Sequence, residues 1–226
     1  MHRIGLGILM CLACVVCAHG DTIAVWNFND AVSDPTGVTD EFRVDWGIGT
    51  MYTSFALANV GNYAGSVINS QNGDPAGRAL SLSGSANNGG SLTWMVGTTG
   101  FESIMISFAI QRTGTGFADN QFLFTADFGA SWITFTPHFT PGLTFASQMF
   151  DLSGIESLNN NPGAGFRIVF GGATSSSGNN RIDNLAVSGT AVPEPSTLTL
   201  TAAGFVLSFL VRPQKQAAKA SAASKG

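Results

Sequence analysis

Residues 103–111 read Ser103-Ile104-Met105-Ile106-Ser107-Phe108-Ala109-Ile110-Gln111. Ile104, Ile106, Phe108 and Ile110 fall on one face if the segment is extended, because successive side chains of a strand point to opposite sides. Ser103, Met105, Ser107, Ala109 and Gln111 fall on the other, so the stretch predicts a strand with one buried face. Working outward, extended segments are predicted at residues 22–29, 41–48, 78–83, 91–96, 121–128, 131–136, 166–170 and 181–187. Turn signals separate them, among them Asn72-Gly73-Asp74-Pro75, Asn87-Asn88-Gly89-Gly90 and Thr113-Gly114-Thr115-Gly116. No helical pattern between them exceeds about two turns. Short strands at this spacing predict an all-β, antiparallel two-sheet sandwich of jelly-roll type over residues 21–190.

Composition narrows the function classes. Charged residues are 11% of the chain, against about 25% in ordinary globular proteins. Residues 21–190 hold 13 acids, five Arg and no Lys, leaving about −8 with His neutral. Such a surface repels phosphate backbones and anionic lipid, since affinity for them comes from cations that release counterions. Nucleic-acid binding is therefore not expected.

Both ends read as addresses. In residues 1–20, Arg3 precedes an apolar run from Ile4 to Ala18, and Ala18-His19-Gly20 offers small residues for cleavage before Asp21. This is the pattern of a secretory signal peptide. Cys11, Cys14 and Cys17 all lie within it, so the mature domain would carry no disulfide and no thiol chemistry. At the other end, residues 191–226 contain Pro193-Glu194-Pro195, an apolar run from Leu198 to Val211, and then Arg212, Lys215, Lys219 and Lys225. Two prolines break helix formation ahead of the run, and the trailing cations place the C-terminus in the cytoplasm by the positive-inside rule. The order and spacing resemble the PEP-CTERM sorting signal of Gram-negative bacteria. That resemblance implies recognition of Pro193-Glu194-Pro195 by an exosortase-type membrane protease. It also implies transient anchoring in the inner membrane through the C-terminal hydrophobic helix, before release to the cell envelope or extracellular matrix.

Catalytic equipment is sparse. His138 is the one histidine outside residues 1–20; it has no nucleophile motif nearby and cannot build a zinc site alone. A glycosidase needs two flanking carboxyls. Only Glu41, Glu102 and Glu156 are Glu among the domain's acids, and most Asp lie in turns, where local hydrogen bonding accounts for them. No catalytic residue is assigned and no enzyme activity is expected, a divergent glycoside hydrolase being the minor alternative. Calcium, which takes oxygen ligands from carboxylates, amides and carbonyls, is the ion these residues suit. Asp183 and Asn184 near the end of the domain, with Asn27, Asn29 and Asp30 near its start, are the candidates for a structural Ca2+. The other reading of Asp183 is a hydrogen bond to a turn or a pairing with Arg181. Phe122, Phe124 and Phe128 share a parity that suits either a core or a flat platform for sugar rings. Trp46, Trp94 and Trp132, with Tyr52 and Tyr63, are the ring residues whose polar edges suit a wet binding surface.

The opening segment Ile23-Ala24-Val25-Trp26-Asn27-Phe28-Asn29, the hairpin Asp127-Phe128-Gly129-Ala130-Ser131-Trp132 and the closing Arg181-Ile182-Asp183-Asn184-Leu185 resemble extracellular jelly-roll domains found upstream of PEP-CTERM tails, and carbohydrate-binding modules. Function is therefore expected to be that of an exported structural or adhesion module, or alternatively a carbohydrate-binding module with an extracellular polysaccharide as partner.

Overall fold

The alternation at residues 103–111 is realised in a long strand whose inward residues Ile104, Ile106, Phe108 and Ile110 are all buried. A computed structural model describes residues 20–29, 41–71 and 73–193 of the chain. It contains β1 (Asp21–Trp26), β2 (Glu41–Phe42), β3 (Trp46–Gly47), β4 (Thr50–Thr53), β5 (Val60–Ala64), β6 (Arg78–Ser83) and β7 (Ser91–Met95). These are followed by β8 (Phe101–Arg112), β9 (Asn120–Thr125), β10 (Ile133–Phe139), β11 (Ala146–Asp151), β12 (Gly165–Val169) and β13 (Asn179–Ala191). The helical turns among the described residues are three-residue 3-10 pieces. None of the helices there is long and apolar enough to cross a membrane.

The strands form two antiparallel sheets, which makes the fold an all-β sandwich of jelly-roll type. The larger runs β11-β8-β13-β1-β3, with β6 also paired to β13 and β5 outside β6. The smaller runs β10-β9-β12-β7-β4-β2. Their inner faces meet in one aromatic core. Phe122 of β9 stacks on Phe150 of β11, ring centroids 3.9 Å apart and planes 9° apart. Trp94 of β7 and Phe166 of β12 pack beside Phe122 at 6.1 and 6.4 Å respectively.

Three features depart from the sequence reading. Residues 41–48 make two strands in different sheets: β2 pairs with β4 of the smaller sheet, and β3 with β1 of the larger. The chain crosses between layers there. Phe128 is 73% exposed with φ 59°, because the turn after Thr125 ends the alternation that buries Phe122 and Phe124. Strands β4, β5 and β11 are additional to the predicted set.

The chain divides into two compact units, residues 1–192 and 193–226. The expected signal peptide, apart from Gly20, and the expected tail beyond Pro193 lie outside the described residues. Glu194, Pro195 and the candidate ligand Asp30 lie outside them too.

Candidate functional site

Buried residues on the smaller sheet fix what its outer face displays. Phe166 and Ile168 of β12 point into the core, so Arg167 between them points out. By register Arg167 lies between Thr93 of β7 and Leu123 of β9. Thr93 in turn faces Tyr52 of β4, which faces Glu41 of β2. The row thus runs Leu123, Arg167, Thr93, Tyr52 across the sheet, with Thr134 of β10 beyond Leu123.

Trp132 overhangs this row from the loop before β10. The Arg167 guanidinium lies 3.8 Å from the centroid of the Trp132 ring, and Arg167 Nε donates to Thr93 Oγ1 at 2.9 Å. The arginine is therefore held between an indole and a hydroxyl, with most of its donors left over. Asp127 fixes the loop that carries Trp132. Its carboxylate accepts from Ser131 N at 2.9 Å, Ser131 Oγ at 2.5 Å and Thr125 Oγ1 at 2.6 Å. These bonds, the Ser131 hydroxyl foremost, hold its pKa down at about 2. Gly129 sits at φ +85°, and a Cβ there would come within 3.7 Å of the Trp132 ring. Glycine thus supplies the turn.

The three tryptophans named from the sequence do not share a surface. Trp94 is wholly buried: it has the parity of Leu92 and Val96, so it is core and not a ligand platform. Its Nε1 finds no partner, a cost accepted for the aromatic packing. Trp46 is 53% exposed but lies on β3, at the edge of the other sheet. Trp132 alone meets the row described above. Arg167 and Tyr52 complete it, with Thr93, itself wholly buried, anchoring Arg167; of these the sequence reading singles out only Tyr52, and as a ring. Their signal is parity: each alternates with residues of the buried face.

A second polar cluster lies where β13 changes partners. Residues up to Ile182 pair with β6, and residues from Leu185 onward pair with β1. Asp183 and Asn184 fall in the gap, where β13 bulges against β8 and Asn184 takes φ 50°. The bulge resets the parity, so that Ile182, Leu185 and Val187 all face the core. Segment 65–78 fills the gap. Ser66 N donates to Asp183 Oδ2 at 2.6 Å and Asn184 N to Oδ1 at 2.9 Å. Asn184 Nδ2 donates to the carbonyls of Ser66 and Ile68, while Asn69 Nδ2 donates to the Asn184 carbonyl. Asp183 therefore bonds a neighbouring turn, and the Arg181 Nε donates to Asn179 instead.

Oxygens crowd this gap. A Cβ on Gly65 would stand 2.5 Å from Asp183 Oδ2 and 2.1 Å from the Ala76 carbonyl oxygen. Beside them Asn29 Oδ1 accepts from Arg78 N at 2.8 Å, and Gly77 leaves room for the Asn29 amide. Asn27 gives its N–H to Asp45 Oδ2 and its Nδ2 to Asp74 Oδ2 of the same segment, while its Oδ1 accepts from Asn29 N at 2.9 Å. Two observations suit a bound cation at Asp183. Burial pushes its pKa up to about 7, and the buried Asn184 Oδ1 has no donor. Asp183, Asn184, Asn29 and the Ala76 carbonyl fit the oxygen preference of calcium. No group of three or more His, Cys, Asp and Glu side chains occurs among the described residues.

His138, at the outer edge of the smaller sheet, pairs with Asp119 at 2.6 Å with both side chains exposed.

No family model and no curated protein sequence matches the chain. Among solved structures it is similar to the CBM22-1 xylan-binding domain of Paenibacillus barcinonensis Xyn10C. That match has 11% identity and a TM-score of 0.48, over 79% of this chain and all of that one. It is also similar to TmCBM61 in complex with β-1,4-galactotriose, at 10% identity and TM-score 0.37, over 61% of this chain and 86% of that one. A third similar structure is a CBM4 module, at 13% identity and TM-score 0.38, over 62% and 87% of the respective chains.

Proposed function

We propose that the sandwich is the polysaccharide-binding module of an exported cell-envelope or extracellular-matrix protein, and that it binds on the outer face of its smaller sheet. The observation carrying this is the Trp132–Arg167 stack at 3.8 Å, in line with Thr93 and Tyr52. A sugar ring offers an apolar C–H face and a rim of hydroxyls. An indole held by its neighbours presents area to the first at little entropic cost, and the spare guanidinium donors and the tyrosine hydroxyl meet the second. With one tryptophan on the face, affinity should be weak, about 4 to 5 kcal/mol, or submillimolar to millimolar. Titrating soluble xylan, β-glucan and galactan while following tryptophan fluorescence tests the face. A saturable change that weakens at least about tenfold in Trp132→Ala supports it. Silence across the panel returns the chain to the plain structural or adhesion reading.

Export completes the proposal: an exosortase-type protease cuts at Pro193-Glu194-Pro195 and frees the module from its inner-membrane anchor. In the native host, intact mass should show a species ending near Ser196. A sole product that retains Leu198 to Val211 would exclude the cleavage. Calcium at Asp183, Asn184 and Asn29 is proposed as structural, tying segment 65–78 to β13 with no part in ligand contact.

A further inference from the structure

Among the described residues a second cation–π pair lies on the larger sheet, where the Arg181 guanidinium sits 4.1 Å from the centroid of the Tyr63 ring. Each member of this pair lines a shallow surface groove. One, about 440 Å³, is lined by Asn62, Tyr63, Ala64 and Arg78. The other, about 320 Å³, is lined by Gln111, Arg112, Thr113, Gly114, Leu143 and Arg181. Three of the domain's five arginines thus line these two grooves, in a segment whose net charge is about −8. Among the described residues no acid lines either groove, and no carboxylate lies within ion-pair distance of Arg78, Arg112 or Arg181.

The guanidiniums of Arg112 and Arg181 are held in place, and among the described residues no carboxylate pairs with them. Arg112 spends Nε on the Pro141 carbonyl and one Nη on the carbonyls of Thr113 and Gly114, keeping its other Nη group. Arg181 gives Nε to Asn179 Oδ1 and sits over the Tyr63 ring. A planar fork fixed in this way is suited to a carboxylate, which it meets with two parallel hydrogen bonds. The surrounding negative charge disfavours dense polyanions such as nucleic acids. An acid group carried once per sugar ring is spaced widely enough to meet the local patch, because charges beyond about 8 Å are screened at physiological salt. A flat tyrosine lining an open groove suits an extended sugar chain.

We propose that this face of the larger sheet is a second binding surface, selective for uronic-acid polysaccharides through Arg78, Arg112 and Arg181. It lies on the opposite layer from Trp132 and does not depend on the neutral-glycan reading of that face. The test uses the full-length chain with a chelator present, titrated with polygalacturonate and with the same polymer fully methyl-esterified. Binding to the acid form at least about tenfold tighter than to the ester is expected. It should weaken with added salt, fall about tenfold or more in Arg112→Gln/Arg181→Gln, and persist in Trp132→Ala. Arg78→Gln alone, at an exposed position whose side chain makes no hydrogen bond among the described residues, guards against a folding artefact, and should lose affinity with its thermal midpoint unchanged. Equal affinity for acid and ester, no loss in the arginine variants, or loss in Trp132→Ala would overturn the proposal.

Discussion

Phe122→Ala is expected to cost the fold about 3–5 kcal/mol, whereas Phe128→Ala should stay within about 0.5 kcal/mol. The two residues share a sequence parity, yet Phe122 is wholly buried and Phe128 is 73% exposed. Phe122 is also where the two layers touch most closely, through its stack on Phe150, with Phe166 and Trp94 alongside. Removing the ring opens a cavity that these three neighbours from the two sheets cannot close together, and it forfeits aromatic contacts worth about 0.5–1.5 kcal/mol each beyond area burial. Urea unfolding followed by fluorescence measures both variants. Similar midpoints for the two would mean that the layers do not meet at Phe122.

Asp183 should make the calcium-free domain lose stability as pH rises from about 4 to 7, opposite to the usual behaviour of a paired carboxylate. Its ordinary value is 3.8, and burial raises it to about 7 in the fold. Between those values the folded chain holds a proton that the open chain has released, so each step up in pH favours unfolding; above about 7 the effect levels off. The full difference corresponds to at most about 4 kcal/mol. Asp183→Asn should flatten the profile across this window. Millimolar calcium should also flatten it and raise the midpoint at neutral pH, because an ion bound only by the folded state offsets the cost of the buried charge. Asp127 works in a separate range. Its pKa of about 2 means that its contribution is present above about 4 and lost on acidification below that. Thermal melts across pH 2–8, with and without calcium, read both groups. A flat profile between pH 4 and 7 in calcium-free buffer would remove the buried-charge account of Asp183.

What the sequence made legible follows burial. β8 was readable because one face is wholly core and the other polar, which is the condition for clean alternation. β5 and β11 were not. Val60–Ala64 has no buried residue, Ala146–Asp151 buries only Phe150, and both lie at sheet edges where nothing forces a pattern. Residues 41–48 misled because extended chain continues through a crossing of layers, which local pattern does not mark. At the candidate sites, Asn29 and Asp183 each bond segment 65–78, at Arg78 and Ser66 respectively, and the role of that segment had no sequence signal. The binding row was missed because selecting tryptophans by type overrides the parity that buries Trp94 and turns Arg167 outward.

Strand β13 carries a consequence for how the molecule is made. It is the common partner of β1, β6 and β8, and its own residues run from Asn179 to Ala191. β1 must therefore wait for a partner some 160 residues later in the chain, Trp26 for Leu185 and Asp21 for Gly189. Closing so long a loop before any contact rewards it makes folding slow, on the order of milliseconds to seconds. A chain emerging from N-terminus to C-terminus cannot complete its larger sheet until residue 191 is out. Until then the pairing edges of β1, β6 and β8 stand open. The polypeptide is thus kept in a threadable state for nearly the whole length of the domain, and locks only when its final strand arrives.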